Sequence, residues 1–319
     1  MLRDAIDVHG HFVTPTYERA LAAAGVSSPD GLPQLPSWSP AGALELMDRL
    51  GIAASLLGIS SPGIHFGDDA AARRLARALN EEVAGIVREK PERFGLLACL
   101  PLPDVDAALA ELAYAYDDLA ADGVALLTNV NGTYLGDRSY EPLIAELDRR
   151  SAVVVLHPTS PAAFAAVGFE RPSPILEFPI DTTRTVFRLI LDGVIERHPR
   201  IRWIVPHSGS ALAVLADRVH DVTRMWHTGA GPVPDVIAAL RGLHYDLAGP
   251  ALPRALPALL TLVEPSQLLY GSDFPFPPIA TLERFATALA QSDALSDSER
   301  DAMFRTNALE LFPRLAATT

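Results

Sequence analysis

Near its N-terminus the chain reads Asp7-Val8-His9-Gly10-His11, directly after the apolar pair Ala5-Ile6. Side chains alternate between the faces of a strand, so His9 and His11 project the same way. Two imidazoles side by side at a strand end can hold a divalent metal. Three more polar residues close apolar runs in the same fashion. His157 follows Val153-Val154-Val155-Leu156, His207 follows Ile204-Val205-Pro206, and Asp273 follows Leu268-Leu269-Tyr270-Gly271-Ser272. His9, His11, His157 and Asp273 offer three nitrogens and one carboxylate, a set that suits zinc and leaves a position for water or substrate. His207 is either a further ligand or a free acid or base. A second metal would need a bridging group. Lys90, the only lysine, lies in the polar stretch Arg88-Glu89-Lys90-Pro91-Glu92-Arg93, so neither a carboxylated lysine bridge nor a Schiff base has a residue to form it. The expectation is one divalent metal per chain, zinc before manganese, with His207 as acid or base beside it.

Ligands at the ends of successive strands require a scaffold that brings those ends together, and a parallel barrel does so. Apolar runs that read as strands cover 5–9, 53–59, 94–100, 124–128, 152–157, 201–206, 243–247 and 267–271. Eight such runs are what a (β/α)8 TIM barrel needs, an α/β fold. Between the second and third, Leu75, Leu79, Val83 and Val87 recur every four residues, as on one face of a helix. A helix over 181–195 is expected to start on Asp181 as its cap, and Ser296-Asp297-Ser298-Glu299 has a capping-box pattern. The proline-rich segment 12–40 reads as an insertion after the first strand, over the barrel mouth, and 158–179 as a second long loop at that face. Nothing between residues 1 and 319 reads as a linker, so one domain is expected. His65, in the loop after the second strand, falls at the same face and is a candidate substrate contact.

Composition narrows the function. The charge is −13, with 39 acidic against 26 basic residues, which argues against a nucleic-acid partner. Hydrophobic residues make up 49% of the chain, yet no run has the length of a membrane span. Cys99 is the only cysteine and sits in an apolar run, so it reads as a core residue. The N-terminus lacks the basic-then-apolar pattern of a signal peptide, and a cytoplasmic enzyme is expected.

Asp7-x-His9-x-His11, His157-Pro158, Pro206-His207-Ser208-Gly209 and Tyr270-Gly271-Ser272-Asp273-Phe274-Pro275 together resemble the amidohydrolase superfamily, across essentially the whole chain. More narrowly they resemble its aminocarboxymuconate-semialdehyde decarboxylase-like branch. Glu177-Phe178 with Asp181-Thr182-Thr183-Arg184-Thr185 looks like the aryl-acid decarboxylases of that branch. The segment from Trp38 through Met47-Asp48 to Ser60-Ser61-Pro62-Gly63 is most similar to 6-methylsalicylate decarboxylase-type proteins. The resemblance implies a mononuclear metal site in a homodimer, with His9, His11, His157 and Asp273 as ligands and His207 as the catalytic histidine. It also implies that Arg218 reaches a neighbouring subunit's substrate carboxylate. The branch's other substrate-binding arginine would fall near Glu45 to Asp48, where no arginine precedes Arg49. That departure disfavours aminocarboxymuconate semialdehyde and leaves a small aromatic hydroxy acid as the expected substrate.

The expected activity is therefore metal-dependent nonoxidative decarboxylation, with His207 or Asp273 delivering a proton to the ring. The same ligands could activate water against a lactone, ester or amide, which makes a hydrolase the alternative. A non-catalytic metal-binding scaffold is a further alternative, which would leave His207 without a task.

Overall fold

The computed structural model describes residues 2–228 and 232–316. Eight parallel strands line up in sheet order as they occur in the chain: β1 (Ala5–His11), β2 (Ile52–Gly58), β3 (Phe94–Ala98), β4 (Gly123–Leu127), β5 (Val153–His157), β6 (Arg202–Val205), β7 (His244–Asp246) and β8 (Leu268–Leu269). The longer helices are α1 (Pro15–Ala23), α2 (Pro40–Leu50), α3 (Asp69–Glu89), α4 (Val105–Asp117), α5 (Glu141–Arg149), α6 (Glu177–Leu191), α7 (Leu212–Trp226) and α8 (Ile279–Ala290). Every residue of β1, β3 and β5 is buried, as expected of strands covered on both faces.

The last strand is drawn against the first by backbone bonds. Val8 N–H donates to the Tyr270 carbonyl at 3.0 Å, and Asp273 N–H to the His9 carbonyl at 2.8 Å. Two glycines permit close approach near these residues. A Cβ on Gly10 would overlap Ser55 Oγ, and one on Gly271 would lie 2.8 Å from the His9 Cβ.

The apolar stripe read from 75 to 87 forms part of α3, whose N-terminus is capped by Asp68 accepting from Ala71 N–H at 3.0 Å. The capping box at Ser296 and Glu299 is present. The insertion after β1 contains α1, capped by Thr14. It crosses the mouth: the Tyr17 hydroxyl donates to the Gly63 carbonyl at 2.8 Å, and the Ser160 hydroxyl donates to Asp30 Oδ1 at 2.6 Å. Among the described residues no helix is long and apolar enough to cross a membrane.

The sequence expectation fails at Asp181. It is not a helix cap. The helix begins at Glu177, inside what reads as loop, and Asp181 is fully buried on its inner face. Pro179 sits in the first turn, where a missing N–H costs nothing. The Asp181 carboxylate accepts from Asn129 Nδ2 at 2.9 Å, from Arg184 at 3.0 Å, and from the hydroxyls of Thr128 and Tyr134. It braces the hairpin segment that follows β4 rather than starting a helix. The expected strands at 243–247 and 267–271 are also shorter, reduced to β7 and β8.

Candidate active site

At the C-terminal mouth, His9 and His11 from the end of β1, His157 from the end of β5, and Asp273 just beyond β8 each bring one ligand atom to within 4.8 Å of the others. The three histidines are at most 3% exposed. Each is oriented through Nδ1. His9 Nδ1 lies 2.9 Å from Asp246 Oδ2, His11 Nδ1 lies 3.1 Å from the Gly58 carbonyl, and His157 Nδ1 lies 2.7 Å from the Pro158 carbonyl. A carbonyl only accepts, so Nδ1 of His11 and His157 carries the proton and Nε2 holds a lone pair. The Nε2 atoms of His9 and His11 are buried without a hydrogen-bond partner, a costly arrangement unless something else bonds them.

That something fits a metal ion. Asp273 Oδ1 lies 3.3 Å from His11 Nε2 and 3.7 Å from His9 Nε2. A tetrahedral site with ordinary zinc bond lengths spaces its ligand atoms about 3.4 Å apart. Protonation also fits at His11, His157 and Asp273. Burial holds the His11 and His157 imidazoles below their usual range, His157 well below it. Burial disfavours charge on Asp273, but the adjacent imidazoles of His11 and His207 outweigh it and hold the carboxyl well below the usual range. Burial likewise opposes charge on His9, but Asp246 outweighs it and raises the imidazole to about 9.

Behind this cluster lie two carboxylates. Asp246, on β7, is fully buried. Its Oδ2 faces His9, and its Oδ1 accepts the backbone N–H of His207 at 3.1 Å and of Ala248 at 3.0 Å. Asp7 accepts from the backbone N–H of His9 and of Ser272 through Oδ1, at 3.1 and 2.9 Å. Its Oδ2 accepts from the hydroxyls of Ser55 and Ser272 at 3.0 and 2.6 Å. Asp7 thus ties β1 to β2 and to the turn that carries Asp273. The sequence reading gave neither residue a role. The signal was there for Asp246, an acid inside a short apolar strand, because a buried carboxylate needs partners.

His207 stands beside the cluster and outside it. Its Nε2 lies 3.6 Å from Asp273 Oδ2, so Asp273 turns one oxygen to the His9–His11 pair and the other to His207. The ring is 20% exposed, and its Nδ1 is buried without a partner. His207 and Asp273 both have positive φ, 55° and 62°, a conformation that bulky residues avoid and that recurs at functional sites. The rings of Phe276 and Phe178 stand edge-on to His11 and His157, 5.5 and 6.0 Å away between centroids.

A model of the amidohydrolase family matches residues 6–314. The chain belongs to the amidohydrolase family. Among its relatives, the 6-methylsalicylic acid decarboxylase acuB of Aspergillus aculeatus is 35% identical, with 97% of this chain and 96% of the relative covered. A crystal structure described as an amidohydrolase II superposes with a TM-score of 0.92 at 35% identity, covering 97% of this chain and 99% of that one. The fold is also that of a dihydroxybenzoic acid decarboxylase from Polaromonas with bound manganese and the inhibitor 2-nitroresorcinol, with a TM-score of 0.82 at 21% identity, covering 98% and 97% of the two chains.

Two further residues singled out from the sequence sit apart from the ligand cluster of this amidohydrolase. His65 is at the mouth, as expected, but both ring nitrogens are engaged. Nε2 lies 2.7 Å from Asp69 Oδ1 and Nδ1 lies 2.9 Å from Asn131 Nδ2. The ring lines a cavity of about 300 Å³ beside the ends of β2 to β5. Arg218 is exposed on α7, on the same helical face as Val214 and Met225.

Proposed function

We propose that this amidohydrolase is a metal-dependent decarboxylase of a small aromatic acid with a hydroxyl ortho to the carboxylate, of the 6-methylsalicylate kind. The observation that carries the reading is the pair of buried, unpartnered Nε2 atoms on His9 and His11 converging with His157 and Asp273, beside a histidine outside that group. The 35% identity to a 6-methylsalicylic acid decarboxylase supports the substrate class.

His9, His11, His157 and Asp273 would hold one divalent ion per chain, zinc by the chemistry of the donors, with manganese the alternative. When bound, the ion supplies Lewis acidity to the carboxylate and the adjacent hydroxyl and fixes the ring. His207 holds a proton at Nε2, facing Asp273 Oδ2, and the two groups deliver it to the ring carbon that bears the carboxylate. That carbon becomes tetrahedral and the ring loses aromaticity. The bond to the carboxylate then breaks, its electron pair restores the ring, and carbon dioxide leaves with the delivered proton kept as the new C–H. Water reprotonates the pair. His65 helps form the wall of the substrate pocket.

The protein would act as a homodimer in which Arg218 reaches the partner's pocket. On α7, Val214, Met225 and Trp226 are 76%, 73% and 76% exposed. An apolar face around an arginine is the composition of an interface core.

The test is turnover of 6-methylsalicylate by protein of measured metal content, with carbon dioxide and the phenol product quantified by mass spectrometry. One metal per chain and equimolar products are expected. Moving the hydroxyl from ortho to para should abolish turnover, because one ion no longer reaches both oxygens. Equal rates on the two isomers, or lactone hydrolysis without carbon dioxide, would reject the reading.

A further inference from the structure

The cavity lined by His65 is part of the proposed substrate pocket, but no part of the substrate is yet assigned to it. Its apolar wall includes Ile59, Leu100, Leu102, Leu127 and Val130. At about 300 Å³ it falls at the lower end of small-molecule pockets. Leu127 links it to the metal centre. In the β4–β5 register Leu127 is paired with His157, so the two side chains share a face about one strand spacing, roughly 4.8 Å, apart. Ile59 follows Gly58, whose carbonyl orients His11, and Thr159, two residues beyond His157, lines the cavity as well. The polar groups in the wall are already engaged: Asp30 with Ser160, and His65 with Asp69 and Asn131. Among the described lining residues there is no lysine or arginine.

We propose that this cavity receives the ring substituent of the substrate, that it accepts an uncharged alkyl group longer than methyl, and that it excludes a second carboxylate. The inference rests on the decarboxylase reading for the orientation of the ring, with carboxylate and hydroxyl at the metal and the 6-substituent against Leu127. Apolar walls gain roughly fourfold in affinity for each methylene they bury. A carboxylate placed there would be desolvated beside Asp30 with no cation to pair it, which is strongly unfavourable. The substrate is then a 6-alkylsalicylate and not an aromatic dicarboxylate.

The experiment measures both binding and chemistry. Salicylates bearing hydrogen, methyl, ethyl, n-propyl or carboxyl at the 6-position are titrated calorimetrically into zinc-loaded wild type, Leu127→Phe and Leu127→Ala, and carbon dioxide release is followed in parallel. Wild type should bind roughly fourfold more tightly per added carbon through ethyl, and the carboxyl analogue at least about tenfold more weakly than the ethyl one. Leu127→Phe should remove the preference for ethyl over hydrogen, and Leu127→Ala should extend the gain to propyl. Leu127→Ala only removes volume, so it keeps the test open where the larger side chain prevents folding. Affinity that ignores chain length, a profile identical in wild type and both variants, or a carboxyl analogue that binds as well as ethyl would overturn the proposal. Length-dependent binding without carbon dioxide release would leave the cavity assignment standing and reject the decarboxylase reading alone.

Discussion

Nδ1 of His9 lies 2.9 Å from Oδ2 of the fully buried Asp246. The other oxygen of the same carboxylate accepts the backbone N–H of His207, so one group orients an imidazole of the cluster and the loop of His207 together. Burial disfavours the Asp246 charge, but His9 and His207 outweigh it and hold the carboxyl below its usual range. Asp246→Asn keeps the shape and removes the charge. Metal affinity should fall roughly 10–100-fold, the scale for losing an outer partner of a ligating histidine, as measured by competition with a chelator. Asp235→Asn, which changes an exposed helix cap, is the control. Equal affinity in the two variants would show that Asp246 does not act through His9.

The two faces of Asp273 separate binding from chemistry. Asp273→Asn removes the one anionic ligand and should impair both metal retention and turnover. His207→Asn should retain the metal and lower kcat by roughly 100-fold or more. A His207→Asn protein that loses its metal would make His207 a ligand.

Arg218 is tested by mixing subunits. Arg218→Ala chains with intact ligands are paired with chains that carry Arg218 and a dead metal site. An arginine that serves the partner restores one pocket in each mixed dimer, so about half of normal activity is expected. An arginine that serves its own chain leaves the one pocket of the mixed dimer with the raised KM of the Arg218→Ala homodimer, well below half activity at subsaturating acid. In homodimers, Arg218→Ala should raise KM for the acid with metal content unchanged, since a bidentate grip on a carboxylate is lost.

Cys99 should be silent. The side chain is 2% exposed, and burial, with Glu111 nearby, pushes the thiol up to about 12. The thiolate is the reactive form, so at about pH 8 roughly one molecule in ten thousand carries it. A disulfide reagent should leave the native protein unlabelled and titrate one thiol per chain in denaturant. Native labelling at the rate of a free thiol would contradict the burial.

The cluster was legible because of the positions of its residues. His9, His11, His157 and Asp273 each close an apolar run, and a parallel barrel gathers such ends at one face. Asp246 escaped notice because its strand spans only His244–Asp246, and its function depends on His9, 237 residues away. Asp181 misled for a local reason. An aspartate ahead of two threonines and after a proline reads as a helix start, whereas that proline is itself in the first turn. Its true partners, Thr128, Asn129 and Tyr134, come from a different strand and hairpin, and no local pattern encodes them. The cavity wall was invisible for the same reason, because the β4–β5 register that sets Leu127 beside His157 is a tertiary fact.

Asp7 reaches Ser272 across 265 residues of chain, and the same closure brings Asp273 to the imidazoles of β1. On a ribosome adding roughly 5–20 residues per second, about 10–50 s separate the emergence of the two sides of this site. Until then the nascent chain presents histidines without the carboxylate that neutralises the cation. An ion held by all four residues would therefore load only after residue 273 has emerged and the last strand has closed on the first.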